Sequence, residues 1–438
     1  MKKNKNSNLD NFWMPFTENR IFKQNPRLLV KAEGMFYTSE DGRKILDGIS
    51  GMWCCNAGHC HPHIVKAVQD QIAEMDYATA FNMAHPSVFK LANKISQLTP
   101  DSLNKIFFAN SGSEAVDTAL KIALAYHASN GEADRTKFIS REKGYHGVNF
   151  GGTSVGGILN NRINFGPLFE KGNCLSSTWN LEEMAFSKGQ PDWGDHLATE
   201  LEEILLSNGP SNVAAVILEP IVGSGGVIVP PKGYLELIKE ICTKYNVLLI
   251  FDEVITGFGR VGEAFASKRF GICPDIITMA KGLTNASVPM SAVAVDNSIY
   301  NQIVNNSKEN IELFHGYTYS GHPVAAAAAI ASLEVYEKED LFNKSKEIED
   351  KFEEAVHSLK GENTIVDIRN FGLMAAIHFS SDITSATDKA NSIFQYCYEN
   401  DVLVRFSGDY IVLSPALIAK EEHIDKIVHT IREGLRNL

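Results

Sequence analysis

Two residues in this chain have the types and spacing for chemistry on a carbonyl compound. Asp252 closes the apolar run Val247-Leu-Leu-Ile-Phe251, and Lys281 follows the next such run, Asp275-Ile-Ile-Thr-Met279. They stand 29 positions apart, room for one crossover between neighbouring parallel strands. Ligands of open α/β sheets bind beyond the carboxyl ends of the strands, so both side chains are expected in one crevice. Apolar neighbours in Thr278-Met-Ala-Lys281-Gly-Leu283 deprive the ammonium of hydration, which lowers its pKa and frees an amine able to attack an aldehyde. A carboxylate beside it suits a protonated pyridine nitrogen, and a ring kept cationic absorbs the electrons released when a neighbouring C–H bond breaks. Taken singly, Lys281 is as readily a surface lysine and Asp252 a helix cap.

Two further segments could serve the same crevice. Asn110-Ser-Gly-Ser-Glu114 lies between the strand-like Lys105–Ala109 and a helix expected over 113–126. A Gly-containing turn at a helix N-terminus offers free backbone N–H groups and the positive dipole end to phosphate. Gly112 permits close approach, while Ser111 and Ser113 add hydroxyls. Alone, Ser113 is more simply an N-cap, and no Gly-Lys-Ser/Thr follows to make a nucleotide loop. Gly144-Tyr-His-Gly147 follows a strand-like stretch at 137–140 and sets Tyr145 where it could stack on a flat heteroaromatic ring. Core packing is the plainer reading of that tyrosine by itself.

The elements that must position these groups alternate from about residue 105 to 295. Val213–Leu218 and 247–251 are nearly all apolar, as strands covered on both faces must be. Between them Leu235, Ile238, Ile241, Cys242 and Tyr245 recur at helical spacing. Segments 275–279 and 290–295 add strands, and the alternation predicts a largely parallel α/β sheet. Beyond 325 an Ala-rich helix over 323–336 leads into a charged helical stretch, then strands near 365–369, 373–379 and 410–413. The expected division is a large domain at 61–325 and a smaller α+β domain from 1–60 with 326–438.

Composition narrows the class. A formal net charge of -12 argues against a general nucleic-acid binder, which needs a clustered basic surface. The basic N-terminus has no apolar segment behind it and reads as a frayed tail, and no run of eighteen apolar residues suggests a membrane span. Seven scattered cysteines do not read as a disulfide framework, so a cytoplasmic location is expected. His59-Cys-His-Pro-His63, near Cys54 and Cys55, lacks the paired histidines or Cys-x-x-Cys spacing of a zinc site, and no metal is expected. No Gly-x-Gly-x-x-Gly follows a first strand, and Gly152-Thr-Ser-Val-Gly156, which matches Gly-x-Ser-x-Gly by letter, does not follow directly on a strand-like run as a nucleophile elbow does.

Together these segments resemble the class III (ω-) aminotransferases of pyridoxal-5′-phosphate (PLP) fold type I, over nearly the whole chain. Leu249-Ile-Phe-Asp-Glu-Val-Ile-Thr-Gly-Phe-Gly-Arg260, running on to Pro274-Asp-Ile-Ile-Thr-Met-Ala-Lys-Gly282, is similar to that family's cofactor signature. His315-Gly-Tyr-Thr-Tyr-Ser-Gly-His-Pro323 is similar to a later family segment. Within the class, the ω-amino acid:pyruvate (β-alanine:pyruvate) group is the nearest likeness. Trp13-Met-Pro-Phe-Thr17, Leu46-Asp-Gly-Ile-Ser-Gly-Met-Trp-Cys-Cys-Asn-Ala-Gly58, Gly223-Ser-Gly-Gly-Val-Ile-Val-Pro-Pro-Lys-Gly233 and Val402-Leu-Val-Arg405 carry it.

The resemblance implies an aspartate aminotransferase-like fold, with a large, mostly parallel sheet domain plus a smaller α+β domain. It implies PLP as cofactor, Lys281 as its Schiff-base lysine and proton shuttle, and Asp252 as the pyridinium partner. Ser111, Gly112 and Ser113 would hold the phosphate, with Thr318 reaching across a subunit interface to the other site. Tyr145 would stack on the ring and Val254 pack on its other face, with His146 and Glu219 nearby. Arg405 would be the movable arginine that receives a substrate carboxylate, and its planar fork matches one bidentately. Trp53, Phe16 and Phe81 would shape the apolar part of the pocket.

The implied reaction is a two-half-reaction (ping-pong) transfer from an ω-amino acid or amine to an α-keto acid, most naturally pyruvate. The implied assembly is a homo-oligomer, a dimer at least, with the tetramer left open. Other readings are a class III enzyme with a taurine or aryl-amine donor, an aminomutase or decarboxylase, or a non-catalytic binding protein of this fold.

Overall fold

The computed structural model describes residues 9–165, 174–362, 364–380 and 385–438. Their strands run in chain order as β1 (Leu29–Glu33), β2 (Phe36–Ser39), β3 (Lys44–Asp47), β4 (Lys105–Ala109), β5 (Lys137–Arg141), β6 (Cys174–Leu175), β7 (Val213–Leu218) and β8 (Leu248–Asp252). They continue with β9 (Ile276–Met279), β10 (Ser291–Val295), β11 (Ile365–Phe371), β12 (Met374–Phe379), β13 (Val402–Leu403), β14 (Arg405–Ser407) and β15 (Tyr410–Leu413).

The largest sheet has the order β4-β10-β9-β8-β7-β5-β6. Its members from β9 to β6 pair in parallel, whereas β10 runs antiparallel to both β9 and β4. The expected parallel sheet thus has one reversed strand. The cause is the connection: residues 280–290 hold a short 3-10 turn and no crossover helix, and a parallel return needs a dozen or more residues.

Every residue of β7, β8, β9 and β10 is buried, because both faces of the sheet are covered. Alternation divides them: Leu248 and Ile250 join Val116, Ala119 and Ile217 in one cluster, while Leu249 and Phe251 pack with Leu235 and Ile238 in the other. Full burial of each such side chain contributes roughly 1.5–3 kcal/mol.

The helix on the first face spans Gly112–Ser129, one residue earlier than its predicted start. Its N-cap is Ser111, whose hydroxyl accepts from Glu114 N at 3.2 Å, so the plain expectation of Ser113 as the cap is corrected. That frees the Ser113 hydroxyl, which accepts instead from Val148 N at 3.0 Å.

Two four-stranded sheets complete the fold. One, β1-β2-β3-β13, joins the N-terminal hairpin to a strand from the C-terminal third, with Val402 and Leu403 paired parallel to Leu46 and Asp47. The other, β11-β12-β15-β14, is antiparallel throughout and carries Arg405 at the start of its edge strand. The Ala-rich helix occupies Pro323–Lys338, as its spacing predicts, and is buried along most of its length. Among the described residues no helix is long and apolar enough to cross a membrane.

Candidate active site

Asp252 is the last residue of β8, and Lys281 lies just past the end of its parallel neighbour β9, so one sheet edge presents both. A cavity with about 570 Å³ of empty space opens there, lined by Lys281, Asp252, Val254, Tyr145, His146 and Glu219, with Gly112 and Ser113 at the helix start.

Lys281 holds a left-handed backbone, φ +47°, in the turn that leaves β9. For a non-glycine residue that conformation costs about 1 kcal/mol or more, tolerated here where the amine must enter the cavity. Burial pushes its pKa below the usual lysine range, and the Arg405 charge acts in the same sense against the pull of Cys54, Asp252 and Glu219.

Asp252 is fixed from three directions. Its Oδ2 accepts from His146 Nδ1 at 2.9 Å, while Oδ1 accepts from Thr278 Oγ1 at 3.0 Å and Val254 N at 3.3 Å. The bond to His146 assigns the proton to Nδ1 of that ring, whose buried Nε2 has no partner among the described residues.

Glu219 is buried behind Tyr145, accepting from Tyr145 N at 2.8 Å and Gly223 N at 2.9 Å, and burial raises its pKa. The carbonyl of Glu219 is in turn held by Arg141 Nη2 at 2.7 Å. These bonds fix the backbone that carries the Tyr145 ring.

The residues present fit PLP. A Cβ on Gly112 would come within 3.1 Å of Val254 Cγ1, so glycine lets the helix start close on the cavity wall. Gly147, at φ +91°, lies so close that its Cβ would sit 2.5 Å from Ser113 Oγ. A small-residue cradle at a helix N-terminus, a buried anchored carboxylate and a desolvated amine are the three contacts that phosphate, ring nitrogen and aldehyde require.

The Gly147→Ala variant is expected to lose at least about 1–2 kcal/mol of stability from its backbone conformation alone. It should also bind PLP more weakly, as read by thermal unfolding with and without cofactor. An unchanged cofactor-induced rise in melting temperature would remove Gly147 from the cradle.

Arg405 enters from the other sheet. Its guanidinium touches Met52 Sδ and acts electrostatically on Tyr145 and Lys281, with no carboxylate partner among the described residues. Burial lowers its pKa from the ordinary arginine value. Trp53 is buried at the end of the same 50–53 turn and packs with Ile255, a cavity residue.

Ser111, Trp53 and Arg405 stand outside the cavity lining itself, and three further expected site residues are exposed away from it within one chain. Thr318 is exposed, its carbonyl accepting from Tyr77 Oη at 2.8 Å. Phe81 is exposed beside Gly316, and Phe16 lies exposed near the N-terminus.

Sequence reasoning missed Thr278, which faces Asp252 in the β8–β9 register. A threonine inside an otherwise apolar strand, level with the acid on its neighbour, was the available signal. The histidines of 59–63 each find a different carboxylate: His59 with Asp47 at 2.8 Å, His61 with Glu339 at 2.8 Å and His63 with Glu334 at 2.9 Å. Those separate partners explain the alternating pattern, and no metal-sized cluster occurs among the described residues.

Comparison with known proteins accords with this geometry. The family model "Aminotransferase class-III" matches residues 19–435. An omega-aminotransferase of Caulobacter vibrioides is 53% identical, covering 98% of both chains. An omega-amino acid–pyruvate aminotransferase of Pseudomonas putida is 43% identical over 98% of this chain and 96% of its own. Among solved structures, the omega transaminase from Pseudomonas jessenii in complex with PMP (pyridoxamine phosphate) superposes with a TM-score of 0.93 at 30% identity, covering 98% of this chain and 96% of that one. A desolvated lysine and an anchored aspartate at one end of the sheet, in a chain matched over residues 19–435, therefore belong to a class-III aminotransferase, a PLP-dependent enzyme of fold type I.

Proposed function

We propose that this enzyme transfers the amino group of an ω-amino acid of the β-alanine kind, or of a simple amine, to pyruvate. The observation that carries the reading is Arg405, a half-buried guanidinium with no counter-charge among the described residues, acting electrostatically on Tyr145 and Lys281. A half-buried cation with no counter-charge among the described residues is costly, and a substrate carboxylate supplies what it lacks. The names of relatives support the substrate class: besides the P. putida protein, a Pseudomonas aeruginosa relative at 42% identity is called beta-alanine–pyruvate aminotransferase.

When bound, PLP supplies an electron sink for the carbon that loses its proton. The chain's own residues do the rest. Lys281 would hold the cofactor through its amine, which burial shifts toward the neutral form, and its Nζ would be the atom that takes up and gives back the proton. Asp252 would keep the ring nitrogen protonated, His146 and Thr278 orient Asp252, and Tyr145 and Val254 would pack against the ring. Ser111, Gly112 and Ser113 hold the phosphate, and Glu219 keeps the Tyr145 backbone in place. Arg405 accepts a carboxylate and, turned away, leaves room for an apolar group along the Trp53 side.

We assign the remaining residues to an assembly of two copies at least. Thr318 and Phe81 share one surface with Phe314 and Tyr319, all exposed and mostly aromatic, which supports a second copy of this chain seated there. In that assembly Thr318 reaches the other copy's phosphate, and Phe81 and Phe16 border a substrate pocket. A division into a large unit at 61–325 and a smaller one from 1–60 with 326–438 is supported by the sheet memberships, although the helix Pro323–Lys338 crosses its boundary. Cys54, Cys55, Cys60, Cys242, Cys273 and Cys397 stand as thiols, which supports a cytoplasmic location.

The test separates the half-reactions. Arg405→Ala is expected to lower kcat/KM for pyruvate and β-alanine by about 10–100-fold, the worth of charge-assisted bonds of ~1.5–3 kcal/mol. Oxidation of an amine without a carboxylate should change by less than about threefold, since an exposed-face contact is worth only tenths of a kcal/mol. Equal losses for both substrate types would remove Arg405 from carboxylate recognition.

A further inference from the structure

The segment that carries Thr318 is tied at one point to the helix Gly112–Ser129. Thr118, fully buried on that helix, has its Oγ1 2.9 Å from His315 Nε2 and 3.3 Å from Tyr317 Oη. Tyr317 Oη donates on to the carbonyl of Glu114 at 3.2 Å, and Lys121 Nζ lies 3.4 Å from His315 Nδ1.

Donor and acceptor capacities assign one direction to this set. Lys121 has only protons to give, so His315 Nδ1 accepts and its Nε2–H donates to Thr118. The Thr118 hydroxyl then donates to Tyr317, whose own proton goes to Glu114. Burial and the Lys121 charge hold the His315 pKa below the ordinary histidine range, as a neutral ring in this role requires. Stacking fixes the imidazole further: Phe107 lies parallel to it at 5.4 Å, and Tyr317 meets it edge-on at 5.1 Å.

The same helix begins at the phosphate cradle. Ser111 caps it, and the Glu114 carboxylate accepts from Asn110 N at 2.7 Å and Asn110 Nδ2 at 2.8 Å, bracing the turn that holds Gly112 and Ser113. Glu114 thus braces the cradle through its side chain and takes the Tyr317 proton through its carbonyl.

We propose that Thr118, with Tyr317 and His315 bound to it, is the positioning residue for Thr318, so that one helix links a subunit's own phosphate cradle to the arm it lends to a second copy. The inference rests on the reading that Thr318 contacts the phosphate of another subunit. Its consequence is that cofactor binding at the two sites is coupled: ordering the cradle by phosphate orders the anchor of the lent arm.

The test follows cofactor loss from the holoenzyme, diluted into PLP-free buffer with a trap, by absorbance, with subunit mass read by light scattering. Thr118→Val and Tyr317→Phe are each expected to release PLP about tenfold faster, the effect of one buried hydrogen bond of ~1 kcal/mol with its orphaned partner. The dimer mass should persist, and Thr118→Ser, which keeps the hydroxyl, should behave as wild type. Combined with Thr318→Ala, Thr118→Val should add nothing further.

Wild-type release from both Thr118→Val and Tyr317→Phe, with Thr318→Ala fast, overturns the anchor and leaves the cross-subunit reading standing. Fully additive losses overturn it too. Wild-type release from Thr318→Ala overturns that reading and the anchor together. Should Thr118→Val fail to fold, Tyr317→Phe, which removes a single oxygen, decides alone.

Discussion

Replacing Lys281 by alanine is expected to abolish measurable turnover while PLP still binds. A positioned proton-transferring group contributes typically 10²–10⁴-fold, and Lys281 also attaches the cofactor, so the loss should reach at least about 10⁴-fold. The phosphate cradle and Asp252 do not depend on the lysine, so a cofactor-induced rise in melting temperature should remain. Ethylamine in solution should restore only a trace of the rate, because a group fixed in place acts with an effective molarity of about 10⁵ M or more. Steady-state rates with and without added amine make the test, and full activity in the variant would end the role assigned to Lys281.

Asp252 gives the second large effect, and two substitutions separate its roles. Asp252→Asn keeps the shape and, through its one amide oxygen, the acceptor for Thr278 Oγ1 and Val254 N, while its NH2 faces a His146 ring able to move its proton from Nδ1 to Nε2; it removes the charge that holds a ring nitrogen protonated. Its kcat is expected to fall by about a hundredfold or more, the equivalent of ~3 kcal/mol, with little change in melting temperature. Asp252→Ala should lose both, because two buried donors are then orphaned at about 1–3 kcal/mol each. If Asn and wild type turned over equally, the carboxylate would serve the fold and not the chemistry.

Much of this site was legible because the decisive residues are tied to strand ends. An apolar run closed by an acid, and another followed by a lysine, fix which edge of the sheet both must reach, whatever the details of the turns. Tyr145 and the 111–113 turn were legible for the same reason. The reversed strand β10 was not, because its composition matches that of a parallel core strand; only the lack of a crossover helix in 280–290 betrays it. The N-cap was misplaced because Ser111 and Ser113 are equally good caps by type, and the Val148 contact that claims Ser113 lies far away in sequence. Thr318, Phe81 and Phe16 followed from family likeness alone, since nothing in their spacing points to the neighbourhood of Lys281.

Arg405 and the Lys281–Asp252 pair belong to different sheets, the one antiparallel and near the C-terminus, the other central. The arrangement works as a caliper. On the proposed reading one jaw is the reacting amine and the other the guanidinium, and the gap between them would grade substrates by the number of carbons separating nitrogen from carboxylate. Length preference can then be retuned from the β14–β15 hairpin or the 50–53 turn while the reacting jaw stays untouched, which is where a search for variants with new donors should begin.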